Sequence, residues 1–555
     1  MNKYTKNCFP KFSFLFFVLI ILLYKIKAER IEARIKVDAK KNWTIVYSDF
    51  KEEDIYVATA FYTDSLLQDG WDKLAITTNS IFSDELQAEA AGRLEGELTK
   101  ERIYNHYLNL KDEINMTQNI TEFLEKQENF VFDEIKKEGK SDPILYNAYL
   151  IKIQYNAIMD QYNAVVEPEK KLTKNNFHLL NYVAELPDVT QKFEVATSGK
   201  TDYSKKTDKE LYNLFLERTH CSALFKIKND LSEVYFGHNA WNSYYSMIRI
   251  IKEYNLNYNN HWVKSKNIIF TSYPATMSSV DDFYISSHGL VSIETTNVFF
   301  NDSLYASIIP ESLFTSERAM IANRISNSSK EWAENFAKYN SGTYNNQFMI
   351  LDKNKVDLEK KKIDMDAFYI VEQIPGLCKI NNVTNFLKFG YWSSYNVPYD
   401  KEIYKKSAIQ EMINQKPSLA ILADYDNCAR TKIFRRDQSS ADSLDGFKKL
   451  MRSNKYKSDP FSENGPSNAI SARADLDGQH CSGAYDLKVG ALSDFKDGKI
   501  KFQLIGSPMW DDEEGIKPFN WKDVGDQKCK AHAHNNIPDI VQYGWIEYES
   551  EFSFK

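Results

Sequence analysis

A chain of 555 residues, 43% hydrophobic and 26% charged, is long enough for one large or two to three ordinary domains with a substantial core. Those proportions exclude a disordered chain or a collagen, and six cysteines are too few for a disulfide-dense scaffold. A net charge of −7 argues against nucleic acid as a partner, and an aromatic content of 14% suits a large packed core or an apolar groove.

At the N-terminus, Lys3, Lys6 and Lys11 flank an apolar run over 12–24. At about 13 residues the run is short for a bilayer, and with its basic flank it reads as a secretory signal peptide over 1–28, with an uncleaved anchor as the alternative. No later segment approaches the ~18 apolar residues of a span, so no stable membrane span is expected after signal removal. Asn-x-Ser/Thr triplets at Asn42, Asn115, Asn119, Asn301, Asn327 and Asn382 agree with a glycoprotein on that route. Without Cys8, five cysteines remain: Cys221, Cys378, Cys428, Cys481 and Cys529. One is left over, and the other four allow three pairings.

Strands and turns are predicted over 29–80, then helices over 83–165 with Ser83 as a cap. The polar stretch 197–210 reads as a linker, and a short helix follows it. From Cys221 the pattern turns to β. CSALFKIK places Ala223, Phe225 and Ile227 on one face, Asn229 and Asp230 supply a turn, and LSEVYFGH returns. A two-residue loop would set Lys228 opposite Leu231 and Cys221 opposite His238. Short strands continue through 267–300, helical patches recur over 316–339, and the last 200 residues mix strands with loops.

The chain has no G-x-S-x-G, H-E-x-x-H, Walker A or G-x-G-x-x-G pattern. Cys529, His532 and His534 have metal-like spacing but no second cluster, and a polar tail with a disulfide cysteine is the better reading. No metal and no cofactor are expected.

The segment THCSALFKIKNDLSEVYFGHNAWNSYYS puts a cysteine at the head of a hairpin, just after a polar linker. It resembles the phospholipase B-like, or laminin ancestor, family. AAGRLEGELT (90–99), TSYPATMSSVDDFYISSHGLVSIETTN (271–297), GYWSSYNVPYD (390–400), ARTKIFRRDQ (429–438) and NAISARADL (468–476) also resemble that family's blocks, in order. The tail from about 525 has no such match.

The resemblance implies an N-terminal nucleophile hydrolase: an α+β fold, an αββα sandwich of two antiparallel sheets between helical layers. It implies a precursor that cuts itself between His220 and Cys221. The N-terminal fragment, 29–220, would be helix-rich and end in the linker 197–220, and the catalytic fragment, 221–555, would begin at the nucleophile. Cys221 would then carry a thiol and a free α-amine, which titrates near about 7.7–8 and can take the thiol proton. On the matching motifs Asn396 would be an oxyanion donor and Arg430 would orient or charge-balance the site. His238 and Asn239 would hold the amine or substrate, and Trp241, Asp282 and Thr295 would support them. The implied activity is removal of fatty acyl chains from glycerophospholipids through an acyl-enzyme, in a lysosome-like compartment or outside the cell. The alternatives are an amidase on N-acyl amides or peptides with the same nucleophile, and a catalytically silent glycoprotein that binds lipid or protein. The sequence leaves the oligomeric state open.

Overall fold

The computed structural model describes residues 28–219, 221–478 and 480–554. The expected signal segment, apart from Ala28, and the expected cleavage residue His220 therefore lie outside the described residues. No described helix is long and apolar enough to cross a membrane.

The helical region begins where expected. The Ser83 side chain accepts from Leu86 N and caps the helix Asp84–Leu98. The predicted continuation breaks at Thr99, whose hydroxyl turns back onto Glu95 O at 2.7 Å, and a second helix, Lys100–Leu110, starts there. Asp142 and Pro143 start the long helix Pro143–Val165. This helix crosses Asp84–Leu98 so closely that a Cβ on Gly92 would overlap Gln154 O, and one on Gly96 would lie 2.5 Å from Ile158 O. The two glycines of AAGRLEGELT are thus what lets the backbones touch.

Two sheets face each other. The larger has 11 strands, ordered Leu377–Asn382, Phe368–Ile374, Asn346–Asp352, Leu290–Thr296, Phe283–Ser286, Asn267–Ser272, Ile250–Asn255, Asp72–Thr78, Ala58–Thr63, Arg30–Val37 and Trp43–Val46. Its pairs are antiparallel except that Asp72–Thr78 runs parallel to Ile250–Asn255, a departure from the all-antiparallel expectation. Four strands from before residue 80 thereby extend a sheet built from later chain. The smaller sheet runs Tyr391–Ser394, Ser222–Ile227, Val234–Asn239, Leu487–Ala491 and Lys499–Ile505, with Phe495–Lys496 and Ile546–Glu549 added on the last of these.

Alternation along Ser222–Ile227 sets the layers. Ala223, Phe225 and Ile227 point between the sheets and meet Ile251, Ile269, Phe283 and Ile293. Leu224 points outward, into a cluster with Ile433 and Phe434 of helix Ala429–Asp437 and Phe447 and Met451 of helix Leu444–Met451. On the far face of the larger sheet, Ile76, Phe270 and Phe348 pack with Leu94, Leu150 and Ile321 from three helices. The order is helices, sheet, sheet, helices.

The hairpin register differs from the expected one. Ala223, not Cys221, pairs with His238, and Ser222 pairs with Asn239. Lys228 N donates to Glu233 O at 3.0 Å and Leu231 takes a positive φ of 57°, so the loop is 229–232 rather than two residues. A shift of two preserves side-chain alternation, so Cys221 and His238 stay on one face as diagonal neighbours.

The linker expectation also changes. Residues 208–218 form the helix Asp208–Arg218, capped by reciprocal bonds between Thr207 and Glu210, a signal present in TDKE. Among the described cysteines a single bridge joins Cys481 to Cys529, while Cys221, Cys378 and Cys428 are free. The sequon asparagines Asn42, Asn115, Asn119, Asn327 and Asn382 are exposed, and Asn301 is half-buried.

Replacing Gly92 with alanine tests the helix crossing. Gly92→Ala should cost roughly 1–3 kcal/mol through overpacking and lower the thermal unfolding midpoint. An unchanged midpoint would mean that the crossing is looser than described.

Candidate active site

Cys221 sits one residue before the inner strand of the smaller sheet and is buried, at 3% exposure. Its Sγ, a ring nitrogen of His238 and a carboxylate oxygen of Glu294 all lie within 4.8 Å of one another. His238 reaches this point from Val234–Asn239, and Glu294 from Leu290–Thr296 of the facing sheet. The site is therefore built between the two sheets.

Arg430, at the start of helix Ala429–Asp437, fixes the backbone around the cysteine. Its Nη1 donates to Cys221 O at 2.7 Å and to Ser222 Oγ at 3.2 Å. Its Nη2 donates to Tyr395 O and to Asn396 Oδ1, each at 2.7 Å. The guanidinium lies 4.4 Å from the centre of the Trp241 ring. Among the described residues it meets no carboxylate, and burial lowers it to about 10. Asn396, at a φ of 71°, donates from Nδ2 to Thr296 O at 2.6 Å. Its backbone N–H donates to Thr295 Oγ1 at 3.3 Å, and that hydroxyl also bonds Ser394 Oγ at 2.6 Å. Thr295 thus ties the two sheets together behind the cysteine.

The buried charges set the protonation states. Burial, followed by the Glu294 charge, pushes the Cys221 thiol well above its ordinary range. Burial, followed by the Lys488 charge, holds the His238 imidazolium well below its ordinary value. The ring is neutral, and the Glu294 backbone beside it only partly offsets that burial. Next to it Arg249, Lys488, Asp281 and Asp486 form a closed network, with Arg249 Nη1 to Asp486 Oδ2 at 2.5 Å and Lys488 Nζ to Asp281 Oδ2 at 3.1 Å. Asp282 stands outside that network. It is bonded by the Tyr344 hydroxyl and by Glu294, and burial raises both carboxyls. For Glu294 the Asp282 charge adds to the rise, so the pair is suited to sharing a proton.

Cys221 opens onto a cavity of about 630 Å³, the size of a drug-like ligand pocket. Trp241 lines it. His238, Arg430, Asn396, Thr295 and Asp282 lie behind the cysteine rather than on the wall. Asn239 faces the other way, because it follows His238 by one residue; its Nδ2 donates to Met451 O at 2.6 Å and anchors helix Leu444–Met451. His532 stacks on Tyr245 and His534 on Trp521, while Cys529 is in the disulfide, so the tail triplet is not a ligand set. The donor types of Cys221, His238 and Glu294 would suit a zinc ion, but the cations Lys488 and Arg249 beside His238 disfavour a further positive charge there.

Backbone strain gathers at the same place. Cys221, Val280, Asp282, Tyr344 and Asn396 all have positive φ, at 86°, 56°, 41°, 46° and 71°. Such residues cost about 1–3 kcal/mol each and concentrate at functional sites. The motif reading missed Glu294, Tyr344, Lys488 and Arg249. Glu294 adjoins Thr295 in the quoted block, but nothing in the sequence sets it opposite Cys221.

A layered α/β protein with a buried, strained cysteine at the mouth of a cavity is the class that this geometry defines. Comparison with known proteins places the chain within it. Residues 58–548 match the family described as Phospholipase B, and the chain belongs to that family. It is 35% identical to "Phospholipase B-like 1" of Rattus norvegicus over 89% of this chain and 88% of that protein. It is equally identical to "Phospholipase B-like protein B" of Dictyostelium discoideum, over 93% and 89%, and to "Phospholipase B" of Crotalus adamanteus, over 92% and 91%.

Arg430→Lys keeps the charge but loses the fork that reaches four acceptors. It should slow any chemistry at Cys221 by about 100-fold or more, the usual effect of losing an electrostatic stabiliser, with the fold intact by circular dichroism. Wild-type rates in that variant would remove Arg430 from the site.

Proposed function

We propose that the chain is a self-processing acyl hydrolase of the N-terminal nucleophile type. Its nucleophile is Cys221, and it acts on acyl esters of glycerophospholipids. One observation carries the reading. A free cysteine at the head of an inner strand opens onto a ligand-sized cavity, with an unprotonated imidazole and an unpaired buried cation beside it.

The first reaction is on the chain itself. Before cleavage Cys221 has no α-amine, so its thiol proton passes to neutral His238. The sulfur attacks the carbonyl carbon of residue 220. The C–N bond breaks, nitrogen takes the proton, and a thioester and the Cys221 α-amine result. Water then releases the carboxylate and the thiol. The φ of 86° at Cys221 supports this step, because breaking the bond relieves a conformation that an L-residue resists. In the mature protein the α-amine is the nearest base, and the same cycle of thioester formation and hydrolysis acts on substrate. Negative charge that develops near Cys221 is stabilised by Arg430, which has no carboxylate to neutralise it.

An acidic station on the secretory route suits the molecule. The basic and apolar N-terminus and the exposed sequons favour that route. Burial raises the carboxyls of Asp188 and Glu372 to about 7. An unfolded carboxyl titrates near 4. Each group therefore contributes stability that is complete below about pH 4, declines as pH rises, and is lost above about pH 7.

N-terminal sequencing of the purified protein should find Cys221 leading one fragment, and Cys221→Ala should run as one chain. Cleavage of that variant at the same bond would assign the cut to another protease. The cut fragments should co-elute in native buffer yet separate on a denaturing gel without reductant, since the Cys481 bridge to Cys529 lies wholly within 221–555. The thermal midpoint should be higher at pH 5 than at pH 7.5, and the opposite order would defeat the acid-compartment reading.

A further inference from the structure

One wall of the cavity beside Cys221 is built by the tail of the chain. Asp526, Lys528, Cys529 and His532 line it, together with Glu113 and Tyr245. The tail is lightly held there. Its helix Gln527–Ala531 has five residues and buries only Cys529. The bridge to Cys481, itself on the cavity wall, pins that residue. Further on, Asn535 N donates to Asn109 Oδ1 at 2.7 Å, and Asn109 Nδ2 donates to Asn535 O at 3.1 Å. Between these two anchors His532 reaches back to Glu113, on the other side of the proposed cut.

The contacts of His532 fix its charge. Its Nδ1 lies 2.8 Å from Ala533 O, and its Nε2 lies 3.3 Å from a Glu113 carboxylate oxygen. A carbonyl and a carboxylate only accept, and a neutral imidazole has one N–H, so meeting both partners takes the imidazolium. The ring stacks on Tyr245, with 3.8 Å between centroids and 14° between planes, which favours a cation further. The titratable groups that face it are Glu113 and Asp112, from the loop after Lys100–Leu110, and Tyr245, whose hydroxyl also bonds Glu113. His480 flanks the bridge on the facing segment, and the ring's own segment adds Asp526, Lys528, Lys530 and His534. Burial opposes the charge on His532, but the bonds to Glu113 and Ala533 and the charges of Glu113 and Asp112 outweigh it, so its pKa is raised.

We infer that His532 is an acid-engaged latch on the cavity wall: as an imidazolium it binds Glu113 and holds the segment 530–534 against the cavity, and as a neutral ring it lets that segment loosen. His532 is a positioning residue, acting through the wall rather than on the reacting atoms. The consequence rests on the acyl hydrolase reading above and adds a regulation to it. The wall that an acyl chain packs against is complete in acid and loosens toward neutral pH. Because the pKa is raised in the latched form, the contact has its full strength below about 6.5, the ordinary histidine value, and is lost as pH rises through the latched value. The latch works in the same direction as the carboxyls of Asp188 and Glu372, through separate groups.

The test is read on the cut protein by hydrogen exchange at the amides of Lys530 and His532, which donate to Asp526 O at 3.0 Å and to Cys529 O at 3.1 Å. After correction for the intrinsic rate at each pH, exchange should rise about two- to fivefold from pH 5.5 to pH 8, the range of a half-exposed ion pair. His532→Gln should flatten that rise, and so should Glu113→Gln, a change at the surface that leaves the core untouched. Over the same interval kcat/KM for 4-nitrophenyl octanoate should fall by a like factor relative to 4-nitrophenyl acetate, and the ratio cancels the titration of Cys221 itself. No rise in the wild-type protein, or the same rise in both variants, would overturn the latch. A rise in exchange with an unchanged ester ratio would overturn its hold on the cavity. If neither ester is cleaved, the Cys221 reading fails instead, and the wall is judged by binding of octanamide, a neutral probe. Weaker binding at pH 8 than at pH 5.5, levelled in Glu113→Gln, upholds the latch, and equal binding refutes it.

Discussion

A guanidinium buried against dipoles alone is the constraint on which this site depends. Arg430 spends its hydrogen bonds on two backbone carbonyls, a hydroxyl and an amide oxygen. Holding a cation that way is costly unless something negative forms nearby. It joins the residue after the proposed cut to the turn at Asn396, and Asn396 is joined in turn to Thr296 of the other sheet. The clamp therefore needs both sheets and an outer helix in place. Charge, strain and topology converge on the bond before Cys221.

The second buried network has a different character. Arg249, Lys488, Asp281 and Asp486 neutralise one another in the buried interior. Their role toward His238 is indirect: burial first, and then the two cations, lower the ring's hold on a second proton, so the resting ring is neutral with a nitrogen open to accept one. A carboxyl pair on the other side of the cysteine holds its proton for the opposite reason, mutual repulsion added to burial. Base and acid are set apart by surroundings rather than by residue type.

Much of this was legible in the sequence, and the remainder was not for identifiable reasons. The Ser83 cap, the long helix after Pro143 and the inward face of Ala223, Phe225 and Ile227 follow from local chemistry and period. The short helix after the linker was expected, and the capping box of Thr207 and Glu210 made its first turn over 208–210 equally legible, although that turn was assigned to the linker. The hairpin register failed because loop length depends on whether Leu231 takes a left-handed conformation, for which no glycine gave warning. The motif residues Cys221, His238, Asn396 and Arg430 do meet, while Asn239 turns outward because neighbouring strand positions face opposite ways. Glu294 and Lys488 were out of reach of sequence reasoning, since Glu294 meets a cysteine 73 residues before it and Lys488 an aspartate 207 residues before it.

The parallel pairing of Asp72–Thr78 with Ile250–Asn255, together with the fully buried ion pair of Glu95 and Lys252, spans the proposed cut. As one chain the protein regains that pairing by a first-order search. Once divided, it would need two molecules to meet, each exposing half of a sheet edge. Cleavage would thus change the reaction order of refolding. The mature enzyme would persist through the height of its unfolding barrier rather than through an equilibrium it can revisit, and the self-cut would mark the last moment at which a misfolded copy could still be repaired.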